Sequence, residues 1–354
     1  MLYQTDNPHG GDLYTVPVRI DFSANINPYG TPEHIKQAVR DCADEIDRYP
    51  DTYCRELISA IARFEGVKKE HILCGAGAAE VIFLFCNALR PQKALILAPT
   101  FSEYESALTS SGCENILYYH LREDRGFEIG EDILDMIRDE CPELVMICNP
   151  NNPTGKLCEA SLMERIFELC RETGIRLFAD ECFLDLTAEG DEHTLKGKLE
   201  DYGGLFILKA FTKSFGMAGL RLGYCLSSDR SILKAMSGLS QPWNISIPAQ
   251  RAGIAALEDT SFLEKANAVI HSERPVLAEG LRRLGMRVID SKANYILFHS
   301  PVELKERLLE KGILIRSCDN YIGLGEGWYR VAVKLPEENS ELLRCMVEVL
   351  KEKH

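Results

Sequence analysis

The chain has 354 residues, 45% of them hydrophobic, and a formal net charge of −14. This length allows about two domains, each with a sizeable core. A strongly acidic chain argues against nucleic acid or an anionic membrane as a partner, because both carry negative charge. No apolar run approaches the ~20 residues that a membrane-spanning helix needs.

The 13 cysteines include no C-x-x-C pair and no Cys/His spacing typical of zinc ligands. The first ten residues, MLYQTDNPHG, lack the charged and apolar regions of a signal peptide. Scattered thiols of this kind are typical of core cysteines in a reducing compartment. The sequence therefore predicts a cytoplasmic protein without a metal site.

The first predicted helix lies near the start of the chain. Thr31 is a suitable N-cap and Pro32 a suitable first helical residue, so we expect a helix that runs to about Ile46. Further on, the segment Gly75–Glu80 follows a short strand and opens an apolar helix. Free N–H groups at the start of such a helix form an anion site.

Between about residues 70 and 230, apolar runs alternate with helical patterns. One helix is predicted over Glu159–Thr173 and ends at Gly174, a typical C-cap. The apolar runs are continuous, as expected for strands that are buried on both faces. This alternation predicts an α/β fold in which helices flank a mainly parallel sheet. Its strands are predicted at Lys93–Ala98, Glu143–Cys148, Ile175–Asp180, Leu205–Lys209 and Leu222–Leu226.

From about residue 245 the pattern changes to a long helix followed by shorter strands, which predicts a smaller α+β domain. We therefore divide the chain into an N-terminal segment that joins the small domain (1–45), a large domain (46–245) and a small C-terminal domain (246–354). The short strands are predicted at Met286–Asp290, Tyr295–His299, Ile313–Arg316 and Tyr329–Val333.

Unusual polar segments follow the strands of the predicted large sheet. Ligands of open α/β sheets bind at the carboxyl ends of the strands, so we expect these segments to meet in one crevice. They are Pro99–Tyr104, Asn149–Gly155, the carboxylate of Asp180 and Ala210–Gly216, which contains Lys213.

The chemistry of these side chains is specific. Asp180 ends an apolar strand, and its burial requires a cationic partner. Lys213 is an amine in a small polar loop, suited to a lowered pKa and to imine formation. Asn152 adds a hydrogen-bonding amide in a stiff, proline-flanked turn, and Arg221 follows Lys213 closely. Together with the anion site at Gly75–Glu80, this set suits a pyridine aldehyde phosphate.

The motifs Asn-Pro-Asn-Asn-Pro-Thr-Gly (149–155), the aspartate at a strand end, and Thr-Lys-x-x-Gly-x-x-Gly-Leu-Arg (212–221) resemble the class I/II aminotransferase family. This family binds pyridoxal 5'-phosphate (PLP) on the fold type I scaffold. The resemblance implies that Lys213 holds the cofactor, that Asp180 pairs with the pyridine N–H, and that Asn152 binds the ring hydroxyl. It further implies that Tyr104 stacks on the ring and that the phosphate is held by Ala76, Gly77, Thr212 and Arg221.

Two further residues carry over from the same family. Arg330 matches the arginine that clamps the substrate carboxylate. Tyr49 resembles the tyrosine that reaches the cofactor phosphate from a second subunit, which implies a homodimer. Two positions depart from the pattern: Ala210 stands where many relatives have a hydroxyl residue, and Phe183 where many have tyrosine. Each departure predicts one cofactor contact fewer.

The N-terminus resembles one branch of the family, the threonine-phosphate decarboxylases of cobalamin biosynthesis. The similar segments are His9-Gly10-Gly11 and Asp21–Pro28. The resemblance implies that His9, Asn25 and Arg316 take the substrate phosphate while Arg330 takes the carboxylate. The implied reaction converts L-threonine O-3-phosphate to aminopropanol phosphate with loss of CO2.

Three alternative functions share some of these sequence features. Histidinol-phosphate aminotransferases share the cofactor residues and a phosphorylated substrate, so the reaction stays open between decarboxylation and transamination. An NAD-dependent oxidoreductase would use Gly75–Glu80 as a pyrophosphate turn, but this would leave the lysine and asparagine motifs unexplained. A transcription regulator on the same scaffold needs a DNA-binding domain, for which the acidic chain predicts no segment.

Overall fold

Helices and strands alternate through the middle of the chain, as the sequence predicts. The structure is a computed structural model that describes residues 9–352. Its helices are α1 Glu33–Asp41, α2 Arg55–Glu65, α3 Ala78–Leu89, α4 Glu103–Ser110, α5 Asp132–Glu140, α6 Ala160–Thr173, α7 Gly190–His193, α8 Phe211–Ser214, α9 Arg230–Leu239, α10 Ile247–Glu258, α11 Ser261–Arg283, α12 Lys305–Leu309 and α13 Pro336–Lys351. Its strands are β1 Ile20–Asp21, β2 Ile72–Gly75, β3 Lys93–Ala98, β4 Asn115–His120, β5 Leu144–Cys148, β6 Arg176–Asp180, β7 Leu205–Ala210, β8 Gly223–Leu226, β9 Arg287–Val288, β10 Tyr295–His299, β11 Ile313–Leu314, β12 Arg316–Ser317 and β13 Trp328–Ala332.

The large sheet has seven strands in the order β2-β8-β7-β6-β5-β3-β4. Strand β8 runs antiparallel to both of its neighbours, while β7, β6, β5, β3 and β4 run parallel to one another. The central strands are buried along almost their whole length, because helices cover both faces of the sheet. This arrangement confirms the predicted α/β class and the mainly parallel sheet.

Alternate residues of each central strand enter two different cores. In β5, Val145 and Ile147 pack into one core, while Leu144 and Met146 pack into the other. This is the period of two that a strand imposes on its side chains. Helix α6 begins at Ala160 and ends at the left-handed Gly174, whose N–H bonds the Cys170 carbonyl as the predicted C-cap.

One edge of the sheet collects the ends of several strands. Gly75 at the end of β2 lies opposite Gly223 at the start of β8, and Gly223 also pairs with Ala210 at the end of β7. Next to β7, the end of β6 at Asp180 lies opposite the end of β5 at Cys148. The polar segments that follow these strands therefore begin along one edge, as the sequence predicts.

A smaller antiparallel sheet has the order β12-β13-β10-β9 and packs against α11 and α13. The predicted strand Ile313–Arg316 is divided in two: β11 pairs with β1, and β12 pairs with β13. Strand β1 brings the N-terminal segment to this region, where Phe22 enters the core. The division at residues 1–45, 46–245 and 246–354 stays a prediction.

The first helix differs from its prediction at both ends. Helix α1 begins at Glu33 and ends at Asp41, and a short 3₁₀ turn follows where the sequence predicts further α-helix. The Thr31 hydroxyl does not cap the helix; it donates to the Gly216 carbonyl at 2.6 Å. A tertiary contact thus competes successfully with the local cap. Across the described residues no helix is long and apolar enough to cross a membrane.

Candidate active site

Lys213 lies in α8, a single turn that directly follows β7. Burial, followed by the nearby positive charge of Arg330, lowers the pKa of its amine to about 8. The ammonium nitrogen lies 5.6 Å from the centre of the Phe183 ring. A partly neutral amine at physiological pH is what imine formation requires.

Asp180 is buried at the end of β6, with 6% of its surface exposed. It accepts hydrogen bonds from the Tyr104 hydroxyl at 2.5 Å and from the Cys182 N–H at 2.9 Å. Burial raises the pKa of the Asp180 carboxyl, and these neutral donors lower it only in part. A protonated pyridine nitrogen would supply the positive charge that a buried carboxylate requires.

The start of α3 and Arg221 come together through two glycines. Gly77 has φ +93°, and a β-carbon at this position would clash with the Arg221 guanidinium. A β-carbon on Gly223 would lie 2.6 Å from the N atom of Ala78, the first residue of α3. The two glycines therefore allow an arginine and a helix N-terminus to approach each other, a combination that suits a phosphate.

Two of the backbone donors predicted for the phosphate have partners within the loop. The Ala76 N–H donates to Glu80 Oε2 at 2.6 Å, and the Gly77 N–H donates to the Gly75 carbonyl at 2.8 Å. Thr212 lies beside Lys213 in α8. The phosphate roles of Ala76, Gly77 and Thr212 stay predictions.

Arg330, in β13, connects several of the predicted residues. It is 6% exposed, and its guanidinium donates to the Asn152 side-chain oxygen and, at 2.9 Å, to the Ser23 carbonyl. Its Nε is buried and has no hydrogen-bond partner among the described residues. The arginine therefore keeps an inward-facing donor available for a ligand.

Arg316 lies directly opposite Arg330 in the β12–β13 pair, so both side chains leave the same face of the small sheet. Arg316 is 9% exposed, donates to Asn320 Oδ1 at 2.7 Å and lies 5.5 Å from the Tyr321 ring centre. Asn25, on the N-terminal segment, is fully buried. Its Oδ1 has no hydrogen-bond partner among residues 9–352.

Two predicted residues lie elsewhere. His9 is exposed and pairs with Glu103 at 2.9 Å, close to Phe101. Tyr49 is 78% exposed and stacks on Trp243 with 4.4 Å between ring centres. An exposed aromatic pair agrees with the prediction that Tyr49 acts on a second subunit, and that role stays a prediction.

Sequence reasoning missed three residues that support the site. Tyr295 is fully buried, lies 5.5 Å from the Arg330 guanidinium and donates to the Asn151 carbonyl. Asn27 and Asp185 each bond the turn that carries Lys213. Asn27 lies in the segment Asp21–Pro28, but its position in the sequence does not indicate that it contacts the turn of Lys213, which lies far along the chain.

The chain is similar to a known protein family over most of its length. The model of the family "Aminotransferase class I and II" matches residues 17–344. The chain belongs to this family. Pyridoxal 5'-phosphate is the cofactor of its members, so the cofactor predicted from the sequence is confirmed. The class of enzyme is confirmed as well, namely a PLP-dependent decarboxylase or aminotransferase.

Several individual proteins are similar over nearly their whole length. The threonine-phosphate decarboxylase of Salmonella typhimurium is 37% identical over 94% of this chain and 91% of its own. Histidinol-phosphate aminotransferase 1 of Archaeoglobus fulgidus is 32% identical over 94% of this chain and 99% of its own. The solved structure of the histidinol-phosphate aminotransferase of Clostridium acetobutylicum superposes with a TM-score of 0.87 at 31% identity, and covers 94% of this chain and 99% of its own. This superposition confirms fold type I.

The residues present fit the cofactor. The lowered pKa of Lys213 suits imine formation, and the raised pKa of Asp180 reflects a buried carboxylate that a protonated pyridine nitrogen would stabilise. The glycine-lined approach of Arg221 to the start of α3 provides positive potential for a phosphate. Lys213, Asp180 and Arg221 would therefore hold the cofactor at three separate points.

Proposed function

We propose that this chain decarboxylates a phosphorylated amino acid, L-threonine O-3-phosphate, and forms aminopropanol phosphate. The observation that carries the proposal is the pair Arg316 and Arg330, which are buried and face the same side of β12–β13. A phosphorylated amino acid has two anionic ends. Planar arginines bind carboxylate and phosphate bidentately, so two of them at a fixed separation select such a substrate.

The two arginines take different ends. Arg330 is held by Asn152 and by the Ser23 carbonyl, close to Lys213, and so takes the α-carboxylate beside the reacting carbon. Arg316 takes the phosphate at the far end. Asn25 lies on the same segment as Ser23 and adds a buried amide whose Oδ1 accepts no hydrogen bond from the described residues. The resemblance assigns His9 to the phosphate as well, although His9 pairs with Glu103 in the structure.

Pyridoxal phosphate, when bound, withdraws electrons from the substrate Cα so that a bond at this carbon can break. Asp180 keeps the pyridine nitrogen protonated, which maintains this withdrawal. Arg330 would fix the carboxylate next to the reacting Cα, so that the bond between Cα and the carboxylate is the one that breaks. After CO2 has left, the Lys213 ammonium group would deliver a proton to Cα and become a neutral amine, a task that suits a pKa of about 8.

The similarity to the Salmonella typhimurium threonine-phosphate decarboxylase supports this reading. The N-terminal segments that carry the resemblance also lie against the site. Gly11 donates to the Ser23 hydroxyl at 2.7 Å, and Asp21 accepts from the Ser23 N–H at 2.7 Å. The place of the reaction in cobalamin biosynthesis is part of the same proposal.

The decisive experiment is to incubate the PLP-loaded enzyme with L-threonine O-3-phosphate and to follow CO2 release together with the cofactor spectrum. We expect stoichiometric CO2 and a spectrum that returns to its starting form. L-threonine at the same concentration is the matched control, because it lacks only the phosphate. Absence of CO2 release from the phosphorylated substrate would overturn the proposal.

Transamination is the second candidate. The superposition with the Clostridium acetobutylicum enzyme favours it, because that structure is named a histidinol-phosphate aminotransferase. In this reaction Lys213 would remove the Cα proton, and no carbon–carbon bond would break. Conversion of the cofactor to its amine form by histidinol phosphate, which has no carboxylate to lose, would establish it.

A homodimer belongs to the same proposal. Tyr49 and Trp243 form a stacked, exposed pair, and Tyr53, close to Tyr49 in the sequence, is 67% exposed. Aromatic side chains of this kind are enriched in protein interfaces. Sedimentation equilibrium of the enzyme tests the stoichiometry, and a monomer at micromolar concentration would contradict it.

A further inference from the structure

The turn that carries Lys213 is too short to satisfy its own backbone. Helix α8 spans only Phe211–Ser214, so its last carbonyls cannot all bond within the helix. Buried carbonyls of this kind need partners from elsewhere in the chain. Asn27 supplies two of them: its N–H donates to the Lys213 carbonyl at 3.0 Å, and its Nδ2 donates to the Ser214 carbonyl at 2.9 Å.

Asn27 is itself rigidly held. It is 2% exposed, and its Oδ1 accepts from the Tyr29 N–H at 3.0 Å. Its carbonyl accepts from the Gly30 N–H at 2.8 Å, which closes a turn. All polar groups of Asn27 are thus engaged, and two of its donors point at the backbone of α8.

The same stretch of chain makes a second contact just beyond α8. The Thr31 hydroxyl donates to the Gly216 carbonyl at 2.6 Å. Gly216 has φ +66°, and a β-carbon there would lie 2.6 Å from the Gly30 carbonyl. Only glycine permits this approach, because any side chain would push the two backbones apart.

The other end of the segment holds the carboxylate-binding arginine. The Ser23 carbonyl accepts from Arg330 at 2.9 Å, and the Phe22 carbonyl accepts from the Ala332 N–H at 2.8 Å. Residues 22–31 therefore connect β13 of the small sheet with the lysine turn of the large sheet.

We propose that Asn27 is a positioning residue that fixes the turn of Lys213 and couples it to the segment that holds Arg330. The proposal deepens the proposed function, since it rests on Lys213 as the reacting lysine. It holds for either reaction at Cα, because both need the lysine nitrogen at a set distance from Cα. From the opposite side, Asp185 accepts a hydrogen bond from the Ser214 hydroxyl at 3.2 Å, so the turn is held at two points.

The charges around Lys213 determine what a looser turn would do. Burial is the largest influence and disfavours its ammonium form, as do Arg330 and Arg221, whereas Asp21 favours it. A turn that moves freely would let the nitrogen approach water and leave the arginines. Protonation at this nitrogen would then become easier.

The test is the variant Asn27→Ala in the PLP-loaded enzyme. We expect the pH midpoint of the visible cofactor absorption to rise by about one pH unit. We also expect kcat to fall about 10²-fold while KM stays unchanged, because Arg316 and Arg330 still bind the substrate. Aspartate at position 27 is unsuitable, since its new charge would itself shift the titration.

Asn87→Ala is the matched control. Asn87 also donates from its amide to a backbone carbonyl, that of Phe83 at 2.9 Å, at the far end of α3. It should leave the midpoint and kcat unchanged. If Asn27→Ala does not fold, Thr31→Val carries the test, with a smaller rise of the midpoint in the same direction.

A wild-type midpoint in Asn27→Ala, or an equal change in Asn87→Ala, would overturn the proposal. So would a wild-type midpoint in Thr31→Val where that variant carries the test. The pH midpoint of the cofactor absorption is measured without substrate, so its result does not depend on which reaction the enzyme catalyses. An enzyme that releases no CO2 but shows the shift would keep the role of Asn27 and lose only the decarboxylation.

Discussion

Replacing Lys213 with methionine should stabilise the cofactor-free protein at neutral pH. The side chain keeps its length and loses its charge. Burial, assisted by Arg330, lowers the pKa of the lysine from 10.5 to about 8 in the folded protein. Below pH 8 the folded state must therefore hold an ammonium group that its surroundings disfavour, whereas the unfolded chain holds the same group in water.

The size of this effect follows from the two pKa values. The difference between the two pKa values corresponds to at most about 3 kcal/mol in the free energy of unfolding, because one pKa unit equals ~1.36 kcal/mol. Water screens part of the effect at a partly buried side chain. Between pH 8 and 10.5 the unfolded chain binds more protons, so wild-type stability rises with pH in this window. The advantage of Lys213→Met should be full below pH 8 and gone above about pH 10.5.

The assay is urea unfolding of both cofactor-free proteins at several pH values between 7 and 11, compared as a difference of free energies of unfolding. Other titrating groups cancel in this difference because both proteins contain them. A Lys234→Met variant, at an exposed position of α9, measures the effect of the replacement itself. A difference between Lys213→Met and wild type that does not change with pH would refute the reasoning.

Three further predictions concern the site. Asp180→Asn should retain cofactor but lose at least about 10²-fold in kcat, because an amide does not hold the pyridine nitrogen protonated; cofactor absorbance and turnover, measured on the same sample, check this. Arg316→Ala should lower kcat/KM about 10²-fold for a phosphorylated substrate and leave unphosphorylated analogues almost unaffected; an equal loss on both would remove Arg316 from the phosphate end. Tyr49→Ala should weaken cofactor binding about tenfold by equilibrium dialysis, whereas Tyr53→Ala, at an equally exposed neighbouring position, should not.

The central strands could be predicted because helices cover them on both sides. Strand β3 occupies Lys93–Ala98, as predicted, and the observed starts of β5 and β6 lie one residue after the predicted ones. A continuous apolar run marks such strands clearly. Strand β4, Asn115–His120, lies at the sheet edge with one face partly exposed, so its sequence carries polar residues and was not predicted.

The site residues could be predicted for a different reason. Asp180 ends a strand of the large sheet, and Asn152 and Lys213 follow two of its other strands, so topology alone places them at a common edge. The residues that position these side chains could not be predicted in this way. Asn27 and Ser214 are separated by 187 positions, and only the packed structure shows that they bond.

This division between site and support bears on how one scaffold performs two reactions. Lys213 and Asp180 belong to the large sheet, while Arg330 belongs to the small one. In the proposed reaction, the bond that breaks at Cα would depend on where Arg330 holds the carboxylate relative to Lys213, and that position would depend on how the two sheets are joined. The segment 22–31 joins them through Ser23 and Asn27. We therefore expect that a change of reaction would require no new catalytic group, because a shift in this segment would move the carboxylate relative to the lysine.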